Sequence, residues 1–204
     1  MTTLEAALDY ARQGWRVIPI LPGSKRPALT RWTEQATTDT ATIKEWWDGH
    51  DDYGVGIATG PTSGFWVLDV DDFDSFRDLE QRYEMLPDTR TSITGSGGFH
   101  FLFRWPIDGR DIRNDAGRRL GPGLDVRGDG GQIVAPPSVH PNGNTYQWDA
   151  GLGDDIAEAP EWLLELVCAE PATETTERTV AAPTDRPGDR WAASTTWGEL
   201  LERD

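Results

Sequence analysis

The chain has 204 residues and a formal net charge of −16, enough length for one compact domain with a sizeable core and a tail. A single cysteine, Cys168, excludes an internal disulfide framework and any multi-cysteine zinc site. There is no N-terminal apolar run of signal-peptide type and no stretch of about 18 apolar residues, so the expectation is a soluble, cytoplasmic protein without a membrane partner.

So acidic a chain argues at first against a nucleic-acid partner, but the charge is unevenly spread. Residues 149–204 hold 14 acidic and 4 basic side chains, which leaves 21 acidic and 15 basic ones, a net of −6, in residues 1–148. A basic stripe also stands out: Arg104, Arg110, Arg113, Arg118, Arg119 and Arg127. It reads either as a nucleic-acid contact or as a solvated, charged loop.

Thr2-Thr3-Leu4-Glu5 matches a capping box, Leu4, Ala7, Leu8 and Ala11 recur at helical spacing, and Gly14 supplies a stop. Trp15–Ile20 reads as a strand ended by Pro22 and Gly23, followed by a loop to Trp32 that carries Lys25 and Arg26. Ile43, Trp46 and Trp47 form the apolar stripe of a helix over Thr40–Asp48. Val55–Thr59 and Phe65–Asp71 read as strands, and Asp74 is placed to cap a helix over Ser75–Glu84. Strands are then expected at Thr91–Gly95, Phe99–Trp105, Leu124–Arg127, Gln132–Ala135 and Thr145–Trp148. Pro160 suits the first turn of a helix reaching Ala169. Helices and strands intermix, with late antiparallel hairpins, which favours an α+β domain over a doubly wound parallel sheet. The expected organisation is a catalytic domain over 1–169, a flexible acidic linker over 170–190, and the start of a helical module over 191–204.

Three constellations carry chemistry. In Val67-Leu68-Asp69-Val70-Asp71 the two carboxylates share one strand face. Such a pair needs a positive partner or a proton, and hard divalent cations with oxygen ligands satisfy it. The plain alternative is a set of helix caps at a strand–helix junction. In Ser96-Gly97-Gly98-Phe99-His100 a tight turn can bring backbone N–H groups to a phosphate. It leads into a strand whose Phe99, Phe101, Phe103 and Trp105 face the core, leaving His100 on the other side. His100 there is a donor to a triphosphate, a structural histidine or a metal ligand. In Leu124-Asp125-Val126-Arg127, Asp125 and Arg127 share a face. Arg127 either binds phosphate or neutralises Asp125, and Asp129-Gly130-Gly131 reads as a hairpin turn.

In order, an Asp-x-Asp strand, a Gly-Gly-x-His strand and a lone hydrophobic-Asp strand resemble the three motifs of the archaeo-eukaryotic primase superfamily. The run from Ala7 to Trp148 is similar to the N-terminal domain of bifunctional DNA primase/polymerases. Further matching stretches are Gly14–Pro19, Lys25-Arg26-Pro27, Gly54–Gly60, Leu124–Gly131 and Ala135–Ser138. The resemblance implies a primase-like catalytic fold with mixed or antiparallel sheets flanked by helices. It implies Asp69, Asp71 and Asp125 as catalytic, metal-binding carboxylates for two Mg²⁺ or Mn²⁺ ions, and His100 as a contact to the incoming nucleotide. Arg127, Ser96, Gly97, Lys25 and Ser138 would support nucleotide binding. Some relatives carry a zinc-binding insertion, whose cysteines this sequence lacks, so no zinc is expected. The implied activity is primer synthesis or extension on single-stranded DNA from nucleoside triphosphates. A helicase or helical primase module in the same full-length chain is the implied partner. Trp32, Trp105 and the Arg-rich loop are candidates for template contacts. The rival readings are a metal-dependent nuclease or phosphatase, a non-catalytic primase-like binding module, and an acidic DNA mimic.

Overall fold

In the computed structural model, residues 1–168 are described. Residue 169, the expected linker over 170–190 and the expected helical start over 191–204 lie outside them. The elements in chain order are α1 (Thr3–Arg12), β1 (Val17–Ile20), α2 (Trp32–Gln35), α3 (Thr40–Trp47), β2 (Gly54–Ala58), β3 (Phe65–Val70) and α4 (Phe73–Arg82). There follow β4 (Thr91–Ile93), β5 (Phe99–Arg104), β6 (Asp115–Ala116), β7 (Leu124–Arg127), β8 (Gln132–Ala135), β9 (Gln147–Trp148) and α5 (Glu161–Cys168). The strands form a three-stranded sheet, β1-β2-β8, and a six-stranded sheet, β6-β7-β3-β5-β4-β9. Every strand pair in both is antiparallel, so the domain is α+β, as the intermixed pattern predicts.

Local chemistry explains the helix starts. The Thr2 hydroxyl accepts from Glu5 N at 3.1 Å while Glu5 accepts from Thr2 N at 2.7 Å, the reciprocal capping box. Asp39 caps α3 by accepting from Thr42 N at 2.8 Å. Helix α4 starts two residues earlier than its sequence suggests. Asp72, not Asp74, is the cap, accepting from Ser75 N at 2.8 Å. Both aspartates are acceptable cap residues, and the choice falls to Asp72 because β3 ends at Val70 and the chain must turn at once. The single-turn α2 and the two-residue β6 have no periodicity to announce them. The strand expected at Thr145–Trp148 is ordered as a strand only at Gln147–Trp148.

Strand β3 is buried along its whole length and divides the core. Its Phe65 and Val67 join Leu102 from β5 and meet Val55, Ile57, Ile133 and Ala135 of the smaller sheet, with Ala7 and Tyr10 of α1. Its Trp66, Leu68 and Val70 face the opposite way, onto Phe103, Leu124, Val126 and Leu163. That alternation is the period-2 reading of the sequence realised in full. The guanidinium of Arg90 lies in the corner between the inclined rings of Trp15 and Trp148, at 4.7 and 4.2 Å from their centroids, an arrangement that stabilises a largely buried cation.

The segment Arg127–Gln132 is not a hairpin. Asp129-Gly130-Gly131 does turn, with Gly131 N donating to Gly128 O at 3.1 Å. Yet β7 pairs with β3 and β6 in the larger sheet, while β8 pairs with β2 in the smaller one. The turn therefore carries the chain from one sheet to the other. Thr59 holds it in place, its hydroxyl donating to Gly128 O at 2.6 Å and its N–H to Gly131 O at 2.9 Å. The space between the sheets beyond the core is where the site lies.

Candidate active site

Strand register assembles the site. Asp69 of β3 stands opposite His100 of β5 on one side and opposite Asp125 of β7 on the other. Directly opposed residues of an antiparallel pair share a face, so three side chains from three strands converge at the polar end of the core face. Asp71 follows the strand and is fixed by its N–H donating to Gly123 O at 2.8 Å. Glycine makes this approach possible. A Cβ on Gly98 would collide with the Val70 carbonyl oxygen, and one on Gly123 would meet Asp72.

Arg127 is the hub of the carboxylates. Its Nη2 donates to Asp69 Oδ2 at 3.0 Å and to Asp125 Oδ2 at 2.8 Å. Of the two roles left open by the sequence, neutralising Asp125 is therefore the one seen, and Asp69 is included in it. Burial pushes the Asp125 carboxyl up from its ordinary range. Arg127 opposes this, and the charges of Asp69 and Asp71 add to it. His100 is buried, with Nε2 3.4 Å from Asp69 Oδ1 and Nδ1 3.2 Å from the Ser92 hydroxyl. Nδ1 and the Ser92 hydroxyl share a hydrogen bond whose donor depends on the ring tautomer, and Nε2 lies within ion-pair range of Asp69. Burial depresses the His100 pKa below its ordinary value, against the pull of Asp69.

These side chains open onto a cavity of about 240 Å³ between the sheets, lined by Lys25, Asp69, Asp71, His100, Arg127, Gln132, Ile133, Val134 and Tyr146. Asp125 is not part of that wall and is joined to it by Arg127. The three carboxylates are an all-oxygen donor set of the kind Mg²⁺ and Mn²⁺ take, and two of them share the cavity. Among the described residues, however, no group of three or more His, Cys, Asp or Glu stands converged as a metal site. The Arg127 guanidinium occupies the position between Asp69 and Asp125. The donors suit the ions by chemistry and adjacency, and two of them are paired with Arg127 in this structure.

Other residues singled out by sequence lie elsewhere. Ser96 and Gly97 sit on an exposed turn outside the cavity wall. Thr94 braces that turn, its hydroxyl 2.9 Å from Ser96 Oγ and accepting from Gly98 N at 3.0 Å. Ser138 is buried, and its hydroxyl both accepts from Val55 N at 2.8 Å and donates to Val55 O at 3.1 Å, so it ties β2 to the turn after β8. The arginine stripe is largely self-neutralised. Arg110 pairs with Asp108 and Glu161, Arg113 with Asp111, and Arg118 with Asp115. Arg119 donates to the Val167 carbonyl. Trp32 and Trp105 are half-buried against hydrophobic clusters.

Sequence reasoning missed two residues that support the neighbouring turn and two of the cavity wall. Gln132 and Tyr146 line the cavity. Asn142 and Asn144 both donate to Gly95 O, at 2.8 and 2.9 Å, and so clamp the Ser96-Gly97 turn. None belongs to a motif. Only the folding of β8 and the 140–146 segment over the larger sheet brings them in.

No curated protein matches the chain. The family model described as "Bifunctional DNA primase/polymerase, N-terminal" matches residues 7–162, a span that contains every element from β1 to β9 and all three constellations, and the chain belongs to that family.

Proposed function

We infer that the protein is a template-dependent nucleotidyltransferase, extending or initiating a primer on single-stranded DNA by two-metal catalysis. The observation that carries this reading is the strand register that brings Asp69, His100 and Asp125 together beside a cavity also lined by Asp71, Lys25 and Arg127, in a chain of this family. Asp69, Asp71 and Asp125 would hold two Mg²⁺ or Mn²⁺ ions. When bound, such ions lower the pKa of the attacking hydroxyl and neutralise the leaving pyrophosphate. Lys25 and Arg127, once Arg127 leaves the carboxylates, supply cationic donors to the triphosphate. Neutral His100 orients Asp69 through Nε2 and presents its edge to the same cavity. Template and primer would contact the domain, and a helicase or helical module would act alongside it in a longer chain.

A metal-dependent nuclease would use the same carboxylates but shorten its substrate. An end-labelled primer on a DNA template, incubated with Mg²⁺ or Mn²⁺ and deoxynucleotides or ribonucleotides, separates the two. Products one or more nucleotides longer support synthesis. Shorter products establish the nuclease. An unchanged primer with retained nucleotide binding leaves the non-catalytic module.

A further inference from the structure

Two polar groups at the cavity have no role in the reading above. The Gln132 amide donates through Nε2 to the Lys25 carbonyl at 3.2 Å, which fixes which end of the amide is oxygen. That oxygen, Oε1, is buried and has no hydrogen-bond partner among the described residues. A buried acceptor left unmet costs stability, and beside an open cavity it can be met by a donor that enters there, a water or a ligand hydroxyl. The Tyr146 side chain is 2 % exposed, lines the same cavity, and its hydroxyl likewise has no partner among the described residues. Its ring lies 6.0 Å from that of His100, which places it beside Asp69.

The chemistry of these groups narrows the ligand. A triphosphate offers acceptors and no donors at neutral pH, and Lys25 and Arg127 already provide for it. Gln132 Oε1 can only accept, so its partner must carry an O–H or N–H. The cavity, at about 240 Å³, falls below the roughly 300–1,000 Å³ of pockets that enclose a whole small ligand. It therefore takes part of a nucleotide. The part adjoining the triphosphate is the sugar, whose hydroxyls both donate and accept.

We propose that Gln132 and Tyr146 form a sugar-hydroxyl subsite, with Gln132 Oε1 accepting from a ribose or deoxyribose hydroxyl of the bound nucleotide and the Tyr146 phenol completing the contact. This rests on the nucleotidyltransferase reading and adds to it the residues that distinguish nucleotides by their sugar. Gln132 also ties the Lys25 loop to β8, so hydroxyl recognition and phosphate recognition share one side chain.

The test is equilibrium binding of ATP, dATP and 2′,3′-dideoxyATP in the presence of Mn²⁺, for the wild-type chain and for Gln132→Met and Tyr146→Phe. The wild type is expected to bind the dideoxynucleotide roughly three- to tenfold more weakly than the nucleotide bearing the recognised hydroxyl. The dATP value tells whether that hydroxyl is 2′ or 3′. In each variant the ratio of the two affinities should shrink towards one, whatever overall loss accompanies the broken tie between Gln132 and the Lys25 carbonyl. Equal wild-type affinity for all three nucleotides overturns the proposal. So does discrimination that survives in both variants, or an equal loss for all three ligands, which marks a structural role. A folded wild type that binds none of the three overturns the nucleotidyltransferase reading itself, and this proposal with it. Tyr146→Phe removes one oxygen only and keeps the test valid if Gln132→Met disturbs the loop.

Discussion

At the scale of single residues, the site is a balance between two anions and one cation. Asp69 and Asp125 lie opposite each other on neighbouring strands, and Arg127 offsets their repulsion. The same guanidinium then competes with any divalent ion for those carboxylates. Arg127→Ala should tighten Mn²⁺ binding, measured calorimetrically without nucleotide, by roughly three- to tenfold. Weaker Mn²⁺ binding in that variant would show that Arg127 does not stand in the ion's place. His100 gives a second prediction. Its folded pKa lies below the ordinary 6.5 because of burial, so below that pH the unfolded chain binds the proton more readily. The stability that depends on a neutral His100 is therefore present above about pH 6.5 and lost as pH falls towards the depressed value. Thermal melts between about pH 8 and about pH 5.5 should show a decline that is shallower in His100→Gln. Equal slopes would mean that another group carries it.

At the scale of elements, glycine sets how closely the strands bearing these residues approach. Gly98 precedes β5 and packs under the Val70 carbonyl, with Asp71 next in chain. Gly98→Ala should push β5 from the end of β3, costing about 1–3 kcal/mol in chemical denaturation and weakening nucleotide binding by displacing both Asp71 and His100. A variant of wild-type stability and affinity would show that the strand ends are free to separate. The strands themselves were legible in the sequence, because period 2 puts Asp69 with Asp71, and Asp125 with Arg127, on one face, although in β3 the apolar Phe65 and Val67 share that face. The sheet to which each strand belongs was not. Gly128-Asp129-Gly130-Gly131 has the composition of a hairpin turn, and its actual course is decided by Thr59 and Asn114, which grip Gly128 from distant parts of the chain. Asp72 and Asp74 are equally good caps on paper, and only the end of β3 chooses between them.

At the scale of the whole molecule, two antiparallel sheets share one core, and a polar cavity opens where that core ends. Motif order, read with strand periodicity, marked Asp69, Asp71, Asp125 and His100, and the family resemblance marked Lys25; strand register brings Asp69, His100 and Asp125 together, and Lys25 and Asp71 line the adjoining cavity. Gln132 and Tyr146 could not be named from sequence, since they reach the cavity only through packing of the smaller sheet and the 140–146 segment against the larger, and the asparagine clamp on Gly95 depends on that same segment. Ser138 shows the converse error, a motif residue whose hydroxyl is consumed by the backbone of Val55. The arginines that looked like a template track are mostly held by neighbouring acids.

The most direct measurement is extension of a labelled primer on a DNA template with Mg²⁺ or Mn²⁺, comparing the wild-type chain with Asp69→Asn and Asp125→Asn. Template-directed extension by the wild type and a fall of at least about a thousandfold in each folded variant are expected. Near-normal extension by either variant would contradict the assignment of these carboxylates to catalysis.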